Sequence, residues 1–430
     1  MNKLSKLLVF LAFFLTGCSV FSTTEEPPKP QTTLTSTSAI TTPESTDVPV
    51  AVTPTSGPVT LLIWLPPWLS TDANPEAGRI LLERLSLFSQ QNPGVSVSVR
   101  IKAEDGSGGM IDSLATANAA APLAVPDLIA LSYESMQVAS LKGLLHSYDG
   151  LSDSMNSTDW YDYAQDLAHF QNSTVGLPFA GDAQVLVFRS EIVEAPPLDW
   201  ATALQSTGPY VFPAADPQAI FTLSQYQAEG GEVQDNEGHP FLDQEKLTQT
   251  LTFYQQAEEV DFMPFWLTQL QTDEQAWQAL LEDRTSMVVT WSSRYLAEAI
   301  PTTELAPILT PNGRPFTLTN GWIWALATVN PEHRELSVQL AEFLTESDFL
   351  AEWTQALGIL PPRPSAMESW SNAQIRTKLD RINASAQMLP PSDVLNRLGP
   401  LLEKAVGEVL KQQNDPASAA KEAVDSLAQP

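Results

Sequence analysis

One cysteine, Cys18, stands in 430 residues, and its surroundings give it a chemistry. Lys3 and Lys6 make a positive start, and an apolar run follows from Leu7 to Leu15. A run of about nine residues suits the core of an export signal and is too short to cross a bilayer. Leu15-Thr16-Gly17 then leads into Cys18. Small residues there give a signal peptidase access to the backbone, and the thiol can take a diacylglyceryl group. The pattern predicts a lipoprotein signal peptide over residues 1–18 with lipidation at Cys18. A lone cysteine excludes an internal disulfide and a cysteine-based metal site.

Enzyme chemistry finds no comparable anchor. His146, His169, His239 and His333 are scattered, with no HExxH, no GxSxG elbow and no Walker A pattern. The glycine-rich stretch 105–109 reads as a flexible loop between a strand and a helix. Asp235, Glu237 and Asp243 lack the spacing and downstream Glu of a calcium loop and read as a turn. A carboxylate pair for glycoside hydrolysis could sit among 51 acidic residues, but nothing marks one. No catalytic residue, metal or cofactor is predicted. The formal net charge of −29 argues against nucleic acid as a partner, since like charges repel.

What the chain does carry is 11 tryptophans, several beside predicted loops. Flat aromatic faces against sugar C–H surfaces, with carboxylates and amides fixing hydroxyls, make a carbohydrate site. Trp68 follows Pro66-Pro67 just past a strand, an exposed position suited to ligand contact. Trp291 ends a buried strand and is a second candidate. Trp322 and Trp324 share a strand face by the period of two. Trp64 lies within a strand and reads as core.

These side chains need elements to place them. Residues 19–58, rich in Ser, Thr and Pro, cannot bury enough apolar surface to fold and read as a disordered tether. No later stretch reaches the ~18 continuous apolar residues of a membrane span. Residues 59–430 form the folded domain, long enough to require two lobes. Val59 to Trp64 is a continuous apolar run, the mark of a buried parallel strand. Ile80, Leu81, Leu85 and Phe88 space a helix over 77–91, stopped by Asn92-Pro93-Gly94. Val95, Val97, Val99 and Ile101 alternate as a second strand. A helix over 110–121, a strand over 128–131 and a helix over 135–142 follow, with Gly143 closing the last. This βαβα order predicts a parallel sheet, with ligand beyond the carboxyl ends of its strands.

In sequence order, the segments Ile63-Trp64, Asn92-Pro93-Gly94-Val95-Ser96-Val97, Pro126-Asp127-Leu128, Gly143-Leu144-Leu145 and Gly176-Leu177-Pro178-Phe179 form a recognisable series. Pro196-Pro197-Leu198-Asp199-Trp200, Gly230-Gly231 with the turn 235–240, Gly321-Trp322 and Gly358-Ile359-Leu360-Pro361-Pro362-Arg363 continue it. The series resembles the extracellular solute-binding proteins of ABC importers, in the family that includes the maltose binders, along the whole chain after the tether. Two segments depart from the family pattern. Phe188-Arg189-Ser190 replaces its Tyr-Asn-Lys, and Met287 leads to Trp291-Ser292-Ser293 instead of Gly-x-Trp. Both lie near the expected cleft and bear on ligand identity.

The resemblance implies an α/β, two-lobed periplasmic-binding-protein type II fold with hinge strands. Lobe 1 is expected over about 59–178 and 325–360, and lobe 2 over about 184–318 and 365–430. It implies ligand contacts from Tyr133 and Glu134 in the loop after the third strand, and from Asp182 and Gln184 after the first crossing. It also implies an aromatic stacker at Phe221 and a ligand contact at Trp322 beside the second crossing. Arg363 is expected to meet a ligand oxygen or a carboxylate at the domain interface. The implied role is to capture a small solute, a carbohydrate before others, and present it to ABC permease subunits. A monomer held outside the membrane by lipid alone is expected. The alternatives are a surface lipoprotein that senses or adheres with the same fold, and a glycan-cleaving enzyme.

Overall fold

The computed structural model describes residues 58–298 and 300–429; the predicted signal peptide with Cys18, and the tether up to residue 57, lie outside them. The opening elements are β1 (Val59–Leu65), α1 (Pro75–Gln91), β2 (Val95–Ile101), α2 (Met110–Ala120), β3 (Leu128–Ser132) and α3 (Tyr133–Leu141). Their boundaries follow local chemistry. Asn74 accepts from the Ala77 N–H at 3.1 Å and Pro75 takes the first turn, so α1 begins there. Its apolar stripe Ile80, Leu81, Leu85 and Phe88 is buried. Gly143, with φ +64°, follows the end of α3 in the left-handed conformation that glycine accepts without strain. β1 pairs in parallel with β2 and β3, Ile63 lying opposite both Val99 and Leu128.

The chain continues through α4 (Asp162–Ala168), the hairpin β4 (His169–Phe170) and β5 (Ser173–Thr174), and then β6 (Gly176–Arg189). Next come α5 (Trp200–Ala203), β7 (Tyr210–Val211), α6 (Ile220–Ala228), α7 (Gln244–Glu259), α8 (Asp273–Leu281), β8 (Met287–Trp291), α9 (Ser292–Ala297) and β9 (Thr303–Ala306). β10 (Thr317–Leu326) precedes α10 (Pro331–Phe343), α11 (Ser347–Leu357), α12 (Pro364–Glu368) and α13 (Ala373–Asn383). β11 (Ala386–Met388), α14 (Ser392–Leu410) and α15 (Pro416–Leu427) complete it.

The main sheet runs β2-β1-β3-β10-β6-β8-β7. β6 joins its two parts. Its start pairs with β10, and its end pairs with β8 and β9. β10 makes the return crossing, and a third contact closes the set where Gly181 exchanges backbone hydrogen bonds with Leu360 at 2.8 and 2.9 Å. Each side of the crossing has its own aromatic core. On the first, Phe179 lies 4.6 Å from Trp324 and 5.4 Å from Trp353 between ring centroids. On the second, Phe221 lies 4.4 Å from Phe212 and 5.8 Å from Tyr210. Among the described residues, no helix is long and apolar enough to cross a membrane.

Candidate functional site

The register of the crossing strands decides which side chains share a surface, because directly opposed residues in a sheet point the same way. Trp322 lies opposite Ser132 on β3 and Ala180 on β6. Asn320 lies opposite Asp182, and Gln184 lies opposite Trp291. Ser132, Trp322, Asn320, Asp182, Gln184 and Trp291 therefore lie on one face. The other face is filled by α4. A methyl on Gly321 would come 2.4 Å from Leu167 Cδ2, and one on Gly181 would come 2.4 Å from the Tyr163 hydroxyl. Glycine at both places lets α4 lie against the crossing.

Trp68 extends the first face from the side. It sits in a short turn just past β1, half-buried, with its ring 5.2 Å from that of Trp322 at an interplanar angle of 65°. Its Nε1–H donates to Glu104 Oε1 at 3.3 Å. The Trp322 ring is also half-buried, while its Nε1–H is buried and has no partner among the described residues. Asn320 is half-buried as well and accepts from the Gly321 N–H at 2.8 Å.

Asp182 is 8% exposed. Its Oδ1 accepts from the Ser292 hydroxyl at 2.7 Å and the Ser293 N–H at 2.9 Å, and its Oδ2 from the Ser293 hydroxyl at 2.6 Å. Both oxygens are thus engaged by the first turn of α9, so the carboxylate holds that helix to the crossing. Burial pushes its pKa up to about 6, against the pull of the three donors. Gln184 is 6% exposed, and its Oε1 accepts from the Ser224 hydroxyl at 2.7 Å. Trp291, half-buried, directly precedes α9 and so shares the segment that Asp182 fixes.

Two expectations need correction, those for Phe221 and for the loop placement of Tyr133 and Glu134. Phe221 is 2% exposed, and its faces are taken by Phe212, Tyr210 and Tyr254, so it is core and not a ligand stacker. Arg363 is committed elsewhere: its guanidinium lies 3.7 Å from the Trp160 ring centre and 3.4 Å from Asp159 Oδ2. A carboxylate is one of its two expected partners. Tyr133 and Glu134 are not loop residues but the first turn of α3, which begins two residues before the expected start because the Ser132 hydroxyl accepts from the Ser135 N–H at 3.3 Å. Tyr133 is half-buried, and burial with the nearby Asp166 charge raises its pKa. Glu134 is exposed and borders a cavity of about 210 Å³ with Glu104, Asp112 and Lys142.

The structure thus gathers Trp68, Trp322, Trp291, Asp182 and Gln184 around the crossing and leaves Phe221 and Arg363 out. It adds Asn320, Ser132 and Glu104. Asn320 was within reach of sequence reasoning, since it stands two residues before Trp322 on the same strand. Among the described residues, no group of His, Cys, Asp and Glu is placed to hold a metal ion.

Comparison with known proteins agrees with this architecture. Residues 84–377, more than half of the chain, match the family model described as bacterial extracellular solute-binding protein. No curated protein sequence matches the chain. Solved structures do, at identities that speak to fold alone. The sugar-binding protein MalE from Xanthomonas citri superposes with a TM-score of 0.70 at 17% identity, covering 86% of this chain and 97% of its own. The cyclic alpha-maltosyl-1,6-maltose binding protein of Arthrobacter globiformis gives 0.68 at 16% identity, covering 86% and 98%. Maltose-bound MalE3 of T. maritima gives 0.62 at 18% identity, covering 86% and 99%. The fold is the two-lobed periplasmic-binding type that these structures share. The chain belongs to the bacterial extracellular solute-binding proteins, a family that works outside the cytoplasm.

Proposed function

We propose that this protein is the lipid-anchored binding component of an ABC importer and captures a carbohydrate between its lobes. The observation that carries the reading is the Trp68–Trp322 pair beside Asn320 on the crossing. It offers half-buried aromatic surface next to the Asn320 amide and the Glu104 carboxylate, a combination suited to sugars. The printed ligands of similar structures, maltose and maltotetraose among them, support the same class. The lobes are taken as about 59–178 with 325–360, and about 184–318 with 365–430. Closure about the crossing would trap the sugar and exclude water, and the closed form is what a permease would read. Trp68 and Trp322 would stack on the ring, while Asn320, Gln184 and Trp291 line its lower side. Asp182 serves this site through α9. No bond is made or broken. An anchor at Cys18 would keep the domain near the permease.

The test is a thermal-shift screen of the full chain against mono- and oligosaccharides, with amino acids, polyamines and metal ions as controls. Ligand at 100 times its dissociation constant adds about 2.7 kcal/mol, a rise of roughly 3 °C for a domain of this size. A response to one sugar class that disappears in Trp322→Ala supports the reading. A response to a cation or amino acid alone overturns the substrate. Silence across the whole panel favours sensing or adhesion.

A further inference from the structure

A second region of the first lobe has the makings of a site unrelated to the crossing. Arg100 on β2 lies opposite Trp64 on β1, and Lys102 follows two residues later with its N–H still bonded to Leu65 O at 2.9 Å. The alternation of a strand therefore puts Trp64, Arg100 and Lys102 on one face. α2 passes over that face without filling the space. It buries only Met110 and Leu114, and beyond them it offers alanines where larger side chains would close the gap. Between them lies a cavity of about 700 Å³ lined by Trp64, both cations, Ser113, Ala117 and Ala121. That volume is within the usual range for small-molecule sites.

The charges are the second observation. Ten of the nineteen lysines and arginines among the described residues have a carboxylate within 4.0 Å. Arg79, Arg84, Arg189, Arg294 and Arg363 are among them. Neither Arg100 nor Lys102 makes an ion pair among the described residues. Lys102 Nζ is held by the Ser113 hydroxyl at 3.3 Å and lies 4.9 Å from the Trp64 ring centre. Asp112 is also on the rim, where its Oδ2 accepts from the Gly108 N–H at 3.4 Å.

We infer that this groove binds a small organic carboxylate, its apolar body against the alanines of α2 and its charge between Arg100 and Lys102. The alanines supply apolar contact, and the two cations lie on the same face with no ion pair of their own among the described residues. A guanidinium matches a carboxylate in two-point geometry, and a fixed ammonium adds a second attraction without a carboxylate to displace.

The test is calorimetric titration of the full chain at low and high salt with benzoate, with its neutral counterpart benzamide, and with inorganic phosphate. Saturable, salt-sensitive benzoate binding is expected, with none for benzamide. The double substitution R100Q/K102Q should weaken it at least tenfold. Ala121→Leu, which fills the groove and keeps both charges, should weaken it too. Three results would overturn the inference: no saturable benzoate binding to the unaltered chain, binding unchanged in R100Q/K102Q, or binding unchanged in Ala121→Leu. Binding of phosphate but not benzoate would also overturn it, by reducing the site to a bare charge pair.

Discussion

Asp182 allows a stability prediction whose sign and size come from its surroundings. The carboxyl pKa rises from 3.8 to about 6, chiefly because burial penalises the charged form. A difference of 6 − 3.8, or 2.2 units, corresponds to about 3 kcal/mol. The folded state binds this proton more tightly than the unfolded chain does. Its contribution is therefore fully present below pH 3.8 and is lost as pH rises through 6. Asp182→Asn removes the titration while its amide oxygen can still accept from Ser292 or Ser293. The stability of the Asn variant minus that of the unaltered protein should grow by about 2.4 kcal/mol between pH 4 and 7.5, with most of the change between 4 and 6. Urea unfolding of both proteins at pH 4, 5, 6 and 7.5 measures it. Titrating groups that do not interact with Asp182 are common to both and cancel in the difference, while Asp273, whose charge also raises the Asp182 pKa, adds its coupling to that difference. A difference that stays level across this range, or that shrinks as pH rises, would refute the placement of a buried ionised carboxylate at the crossing.

Other substitutions test neighbouring parts of the argument. Trp322→Ala should cost about 2 kcal/mol of ligand affinity, roughly 30-fold, with little loss of fold, measured by calorimetry with the sugar that the screen identifies. Gly321→Ala should destabilise by about 1–3 kcal/mol, because its methyl meets Leu167 Cδ2 at 2.4 Å and the Ala180 carbonyl at 3.0 Å; urea unfolding reads it directly. Tyr148→Phe removes a wholly buried hydroxyl that donates to the Trp324 carbonyl at 2.9 Å, and should cost about 1–2 kcal/mol, seen as a fall of roughly 1–3 °C in melting temperature.

The first lobe was the most legible part of the chain because local rules govern it. β1, α1 and β2 fall within two residues of the predicted spans, since β1 is almost wholly apolar, β2 alternates and α1 keeps its stripe at helical spacing. The start of α3 was misread for a local reason too: a serine cap at Ser132 outweighed the expected loop. The site was less legible because it depends on register between distant strands. Nothing near Asp182 in sequence reveals that Ser292 and Ser293, 110 and 111 residues away, would occupy both its oxygens. Phe221 failed similarly. Its neighbourhood in sequence is poor in aromatics, but Tyr210, Phe212 and Tyr254 converge on it from separate elements. Trp68 could be read because it needed only a strand end followed by two prolines.

The crossing itself gives any closing movement a direction. Gly181 and Gly321 stand opposite each other, and α4 occupies the space their missing side chains leave. Close-packed interiors resist compression, so the lobes cannot approach each other over that side. The opposite side carries Trp322, Asn320 and Asp182, with Trp291 one strand further on, and its aromatic rings are only half-buried. In the proposed mechanism closure must therefore proceed over the tryptophan face. Ligand would be the material that fills the remaining space, and each ring it covers would add to the preference for the closed form. On this argument Gly321→Ala, by pressing α4 away from the crossing, should disturb ligand affinity as well as stability, although it lies on the face the ligand never touches.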